Sequence, residues 1–240
     1  MPDNAPRHGV FSKSRYRFTS GVRAGEVVSI CSENGETLLT YRSFTSVVAI
    51  VALVVSVIVA VTGTGAIVLF LFEGHIFPAM MAFLLSAAFA VVIAMLVPTT
   101  HVTLYEGSHP ALVIAQESNV SFPVVTYAIG TPEQKVVGRL RKGVWSRLGT
   151  NRWDILSATD DRPIGYAAEE SFSRALVRKF VGKFNPRYQT NVRIQYLGKD
   201  AGWIVRRPNG SGVVDVLELN GEIDHRVAVA LATLVLGSEP

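Results

Sequence analysis

Two uncharged runs constrain this chain more than any other feature. From Phe44 to Phe72 it reads FTSVVAIVALVVSVIVAVTGTGAIVLFLF, and after Glu73-Gly74-His75 a second run, IFPAMMAFLLSAAFAVVIAMLV, extends from Ile76 to Val97. A hydrocarbon core about 30 Å thick is crossed by about 20 apolar helical residues. Both runs exceed that, so they are expected to be membrane spans rather than buried core helices. Their three-residue connection permits only a tight hairpin, which returns both flanking arms to one side. The turn has no Lys or Arg, whereas the N-terminal arm holds Arg7, Lys13, Arg15, Arg17, Arg23 and Arg42. Basic residues collect on the cytoplasmic side, so both termini are expected there. About forty residues with strand-like patterning precede the first run, too many for a secretory signal.

Composition adds bounds. A length of 240 residues suits one or two domains. The hydrophobic fraction of 49% is concentrated in the two runs. A net charge of +4 is mild and suits a surface beside anionic headgroups; it does not argue for nucleic acid. Cys31 is alone, which removes any intrachain disulfide or multi-cysteine zinc site and fits a reducing compartment.

Outside the runs, short alternating segments flank polar turns. VVSICSENGETLLTY (Val27 to Tyr41) turns at Asn34-Gly35, a strong hairpin signal. VVTYAIGTPEQKVVGRL (Val124 to Leu140), RWDILSATDDRPIGYA (Arg152 to Ala167) and NVRIQYLGKDAGWIVRR (Asn191 to Arg207) repeat the pattern, and GVVDVLEL (Gly212 to Leu219) supplies one more strand. Such spacing predicts an antiparallel sheet closed into a barrel or a sandwich. One isolated hairpin is marginal, so residues 16–43 are expected to join the sheet formed by 99–240, with the transmembrane hairpin 44–98 inserted in a strand connection. Residues 1–15, polar and without periodicity, read as a disordered tail. Ser171 to Phe184 differs: Phe172, Leu176, Val177, Phe180, Val181 and Phe184 recur at helical spacing, opposite Arg174, Arg178, Lys179 and Lys183. This predicts a basic amphipathic helix ended by Asn185-Pro186.

HRVAVALATLVLG (His225 to Gly237) is apolar on every side after Arg226. Its uninterrupted apolar part covers about 15 Å, half a bilayer. A helix apolar all round must then be enclosed by protein, and in a β-domain the lumen of a barrel encloses it.

On these residues the chain resembles the tubby C-terminal, phospholipid scramblase and LURP-one-related family, in which a β-barrel wraps a hydrophobic C-terminal helix. The resemblance lies in Asp224-His225-Arg226 followed by Val227-Ala228-Val229-Ala230-Leu231-Ala232. A second part is Glu169-Glu170-Ser171 leading through Arg178-Lys179 to Pro186-Arg187-Tyr188. It covers roughly 100–237, with 16–43 as first strands, and suggests a bacterial-type member in the plasma membrane. The paired spans depart from the scramblase pattern and no EF-hand-like calcium loop is present, so calcium-triggered scrambling is not implied. A PH-like barrel is the rival fold; its terminal helix caps one end and should be amphipathic, which this one is not.

Catalytic motifs are missing from the sequence. The histidines His8, His75, His101, His109 and His225 lack metal-ligand spacing, and no nucleophile elbow or phosphate loop occurs. Asp160-Asp161 and Glu169-Glu170 read as a solvated turn and a capping cluster. Trp145, Trp153 and Trp203 read as core or rim residues, and Gly63-Thr64-Gly65 as a helix-packing site. No enzyme and no cofactor are expected. Two functions remain: a membrane-tethered module contacting anionic phospholipid through Arg174, Arg178, Lys179 and Lys183, or a membrane-anchored scaffold that offers its β-domain to a protein partner.

Overall fold

The computed structural model describes residues 9–19, 26–42, 47–96, 99–118, 123–143, 146, 151–169, 191–209 and 212–237. One compact unit holds the strands and a second holds the two long helices.

The strand unit is an antiparallel barrel. Its twelve strands are β1 (Arg15–Phe18), β2 (Val27–Cys31), β3 (Thr37–Arg42), β4 (His101–Glu106), β5 (His109–Gln116), β6 (Val124–Gly130), β7 (Val136–Gly143), β8 (Arg152–Leu156), β9 (Pro163–Glu169), β10 (Val192–Tyr196), β11 (Lys199–Asn209) and β12 (Gly212–Leu219). Each pairs with the next in sequence, and β1 pairs with both β2 and β12, which closes the barrel and leaves no edge. Alternation sets the inner face, as in β6, where Val125, Tyr127 and Ile129 are buried between more exposed neighbours. The turns follow backbone chemistry: Gly35 takes φ +82° at the tip of the β2–β3 hairpin.

The β10–β11 turn is unusual. Leu197 (φ +49°) precedes Gly198 (φ +76°), so a bulky residue occupies a position that favours Asn or Gly. A left-handed conformation costs an ordinary residue about 1–2 kcal/mol. Leu197 is held there by its N–H donating to the Ile164 carbonyl at 2.8 Å, and its side chain is 64% exposed.

Helix α3 is His225–Gly237, reached from β12 by residues 220–224. Val227 through Val235 are all buried, and the apolar ones share one hydrophobic cluster with inward strand residues such as Ile30, Leu104, Ile129 and Ile204. Each large aliphatic side chain taken from water contributes up to about 1.5–3 kcal/mol. Buried Thr233 is satisfied within the helix, its hydroxyl donating to the Val229 carbonyl at 2.9 Å. Close approach to β7 depends on Gly138, where an added Cβ would lie 2.8 Å from Cγ2 of Val227. Asp224 caps the helix: its Oδ1 accepts the Arg226 N–H at 2.9 Å, and its carbonyl accepts the Ala228 N–H at 3.0 Å.

Order begins before residue 15. Val10–Ser12 form a 3-10 turn, Val10 is buried, and the Tyr16 hydroxyl donates to the Val10 carbonyl at 3.2 Å. The apolar pair Val10-Phe11 supplies contacts that a reading based on polarity alone overlooks.

The second unit pairs α1 (Val47–Phe72) with α2 (Ile76–Leu96), and both are long and apolar enough to cross a membrane. They extend about 39 and 31 Å at 1.5 Å per residue. Gly74 (φ +77°) ends α1 in a Schellman motif, with its N–H on the Leu71 carbonyl and that of His75 on Phe70. The hydroxyls of Ser56, Thr62 and Ser86 donate to carbonyls four residues back, so these groups are satisfied within their own helices. Gly63 lets α1 close on Ser86 of α2, since a Cβ at that position would meet the serine side chain.

Candidate functional site

In an up-and-down barrel, successive connections alternate between the two ends. The registers place residues 32–36, 107–108, 131–135, 157–162, 197–198 and 220–224 at one end, here the turn rim. Residues 19–26, 43–100, 117–123, 144–151, 170–191 and 210–211 join strand ends at the other, the connection rim. Every turn-rim connection is short, and all but one of those at the connection rim are long. The chain leaves β3 at Arg42 for the two helices and returns at His101 in β4, so the helical insertion is attached at the connection rim.

Charge divides the same way. The connections of the turn rim carry seven carboxylates, and with the lead-in residue Lys13 only three basic residues, the others being Lys135 and Arg162. Leaving out Glu73 at the far end of the helical hairpin, the sequence between strand ends at the connection rim carries seven Lys and Arg against three carboxylates, Glu26, Glu117 and Glu170. Arg174, Arg178, Lys179 and Lys183 are four of those seven and belong to the β9–β10 connection. They and their helix lie outside the described residues, as do Trp145, His8 and Glu170.

Toward the connection rim the inner wall carries polar groups that hydrophobic periodicity passes over. Lys142 on β7, Asn151 just before β8 and Glu169 on β9 are 7%, 6% and 5% exposed. Lys142 Nζ lies 4.7 Å from the ring centroid of Trp153, which is buried and tilted against Tyr127 at 5.8 Å. Among the described residues, the Nε1–H of Trp153 has no hydrogen-bond partner. A signal did exist: in VVGRLRKG, Lys142 has the same parity as buried Leu140 and so must face inward. Tyr41, on β3, is also buried; burial pushes its phenol far above its ordinary range, and the charge of Asp215 adds to the shift.

The outer wall holds guanidinium–aromatic stacks. Arg193 lies over Trp203 at 5.3 Å while its Nε donates to Asp200 at 2.7 Å, and Arg152 lies over Tyr166 at 4.6 Å. The Arg193 hydrogen bond holds the Asp200 carboxyl below its ordinary value. Trp153 is therefore a core residue, and Trp203 an outer-wall one.

At the turn rim, Asp160 pairs with Arg162 at 3.1 Å and Asp161 with Arg139 at 3.0 Å. Each acid has its own base, the geometry of a structured turn rather than of a shared-proton pair. A partly open cavity of about 180 Å³ lies nearby, walled by Ile155, Leu156, Ile164 and Val227, with Tyr196 and Asp224 supplying polar edge. Asp224 is clasped by Arg226, Oδ2 to Nη2 at 2.6 Å and Oδ1 to Nε at 3.0 Å. Burial alone would raise this carboxyl, but the hydrogen bonds and charge of Arg226 outweigh it and hold it below its ordinary value. His225 meets Tyr16 edge-on at 6.5 Å, His101 and His109 open β4 and β5, and His75 sits 4.0 Å from Glu73. Among the described residues no three His, Cys, Asp or Glu converge as metal ligands. No family model, curated protein or solved structure matches the chain.

Proposed function

We propose that the protein is a membrane-anchored, non-enzymatic β-domain of the tubby and scramblase-like kind, which engages anionic phospholipid through its connection rim. One observation carries the reading: the rim from which the chain departs for two membrane-length helices is also the basic rim, while the opposite rim is acidic. Each Lys or Arg near an anionic leaflet contributes about 1 kcal/mol, and carboxylates are repelled, so this polarity orients the domain. In this reading α1 and α2 span a bacterial plasma membrane with both termini cytoplasmic. The barrel encloses α3, a reading supported by nine consecutive buried residues that pack with the strands.

Hydrogen exchange on the full-length protein in nanodiscs tests the lipid contact. Including phosphatidylglycerol should protect residues 144–151 and 170–191 relative to phosphatidylcholine alone. The combined variant Arg174→Gln, Arg178→Gln, Lys179→Gln and Lys183→Gln should lose that protection. Equal exchange in both lipids would leave the scaffold reading in its place. Orientation is tested by Gly74→Cys with Cys31→Ser, which should react with an impermeant maleimide from outside the cell. Protection at position 74 would reverse the topology.

A further inference from the structure

We propose that the turn rim is a docking surface for a basic segment of a partner protein, whose apolar anchor residue enters the cavity beside Leu197. Three observations meet there. Leu197 is 64% exposed and keeps a left-handed backbone, φ +49°, at a site where Asn or Gly would relax it. A bulky side chain retained at a strained, solvated position serves a contact better than it serves the fold. Its neighbours Ile164 and Tyr196 line the 180 Å³ cavity, whose aliphatic walls accept one side chain. The connections of this rim carry more carboxylates than basic residues; Glu33, Asp160, Asp161 and Asp224 are paired with arginines, whereas Glu36 and Glu222 make no ion pair among the described residues. That charge is complementary to a Lys- or Arg-rich segment, and it would steer such a segment toward the cavity. Aromatic or aliphatic anchors in desolvated pockets carry most of the affinity at interfaces of this kind, while the surrounding charges set rate and specificity. The surface is separate from the basic rim and does not depend on lipid contact there.

The test uses full-length protein in phosphatidylcholine nanodiscs, where anionic lipid plays no part. The probes are four fluorescent dodecapeptides, Lys-rich or Glu-rich, each with a central Phe or a central Ser. Anisotropy should show the Lys-rich Phe peptide binding at least tenfold tighter than the other three, and weakening as salt rises. Leu197→Asn should reduce that binding about tenfold while leaving the melting temperature equal or higher, which separates contact from folding. Ala158→Leu, which narrows the cavity, should weaken the Phe peptide and leave the Ser peptide unchanged. The proposal is overturned if none of the peptides binds, if the Glu-rich peptide binds equally well, or if Leu197→Asn binds like the parent.

Discussion

Helices α1 and α3 share a composition and differ in environment. Both are apolar around their whole circumference, yet α1 exposes side chains such as Val57 and Val61, at 54% and 66%, while Val229 and Leu231 of α3 are at 0%. Apolarity all round states only that a helix must avoid water. Length decides how: 26 residues match a bilayer, and 13 match the interior of a domain.

The largest expected effect breaks this contrast directly. Ala230→Asp should unfold the strand unit, because an unpaired buried charge costs several kcal/mol against a typical total of about 5–15. Val57→Asp should instead leave the strand unit protease-resistant and lower membrane insertion, at about 2.5–3.5 kcal/mol for a charge mid-helix. Equal proteolysis of the two variants in detergent would remove the distinction.

Gly138→Val sharpens it next. A Cβ at 138 presses on Val227, and overpacking of this kind costs about 1–3 kcal/mol, read as a fall in melting temperature. Asp224→Ala should lose about 1 kcal/mol with the helix cap. Because the folded carboxyl lies below its unfolded value, this stabilisation is complete above about pH 4 and is lost as pH falls through the folded value. The parent should therefore lose its advantage over Asp224→Ala in acid, and a constant difference down to the acid limit would contradict the clasp. The smallest effect has the opposite sign: Leu197→Asn should gain a few tenths to about 1 kcal/mol by relieving the turn.

Much of the fold was legible because strand alternation and turn chemistry acted together. The hairpins β2–β3, β6–β7, β8–β9 and β10–β11, and the strand β12, lie where their turn residues predicted. The β4–β5 hairpin was passed over. Its Pro110 argues against a strand, but it sits opposite Tyr105 beside a register shift, a place where a missing N–H is tolerated. Four-residue β1 is too short for periodicity to show, and only its pairing with β12 reveals it. The site was legible in part. Charge along the chain marks the β9–β10 connection as basic, but which connections share a rim follows from strand direction alone. Leu197 was invisible because sequence carries no φ angle, whereas Lys142 was legible from its parity with Leu140 but follows Arg139 and Arg141, a basic run that reads as solvated.

Closure of the barrel by its first and last strands has a consequence for biosynthesis. Arg15 and Glu218, joined across that seam, are 203 positions apart in the chain. While the ribosome is still short of β12, β1 has no second neighbour, and its unpaired backbone is a template for wrong pairing. In the membrane-anchored reading proposed above, the nascent chain also delivers two apolar helices to a bilayer between β3 and β4, before β4 exists to pair with β3. Insertion and sheet growth are thus ordered in time by the genetic message. Products interrupted before residue 212 would display open strand edges and no α3, the form a quality-control protease would recognise.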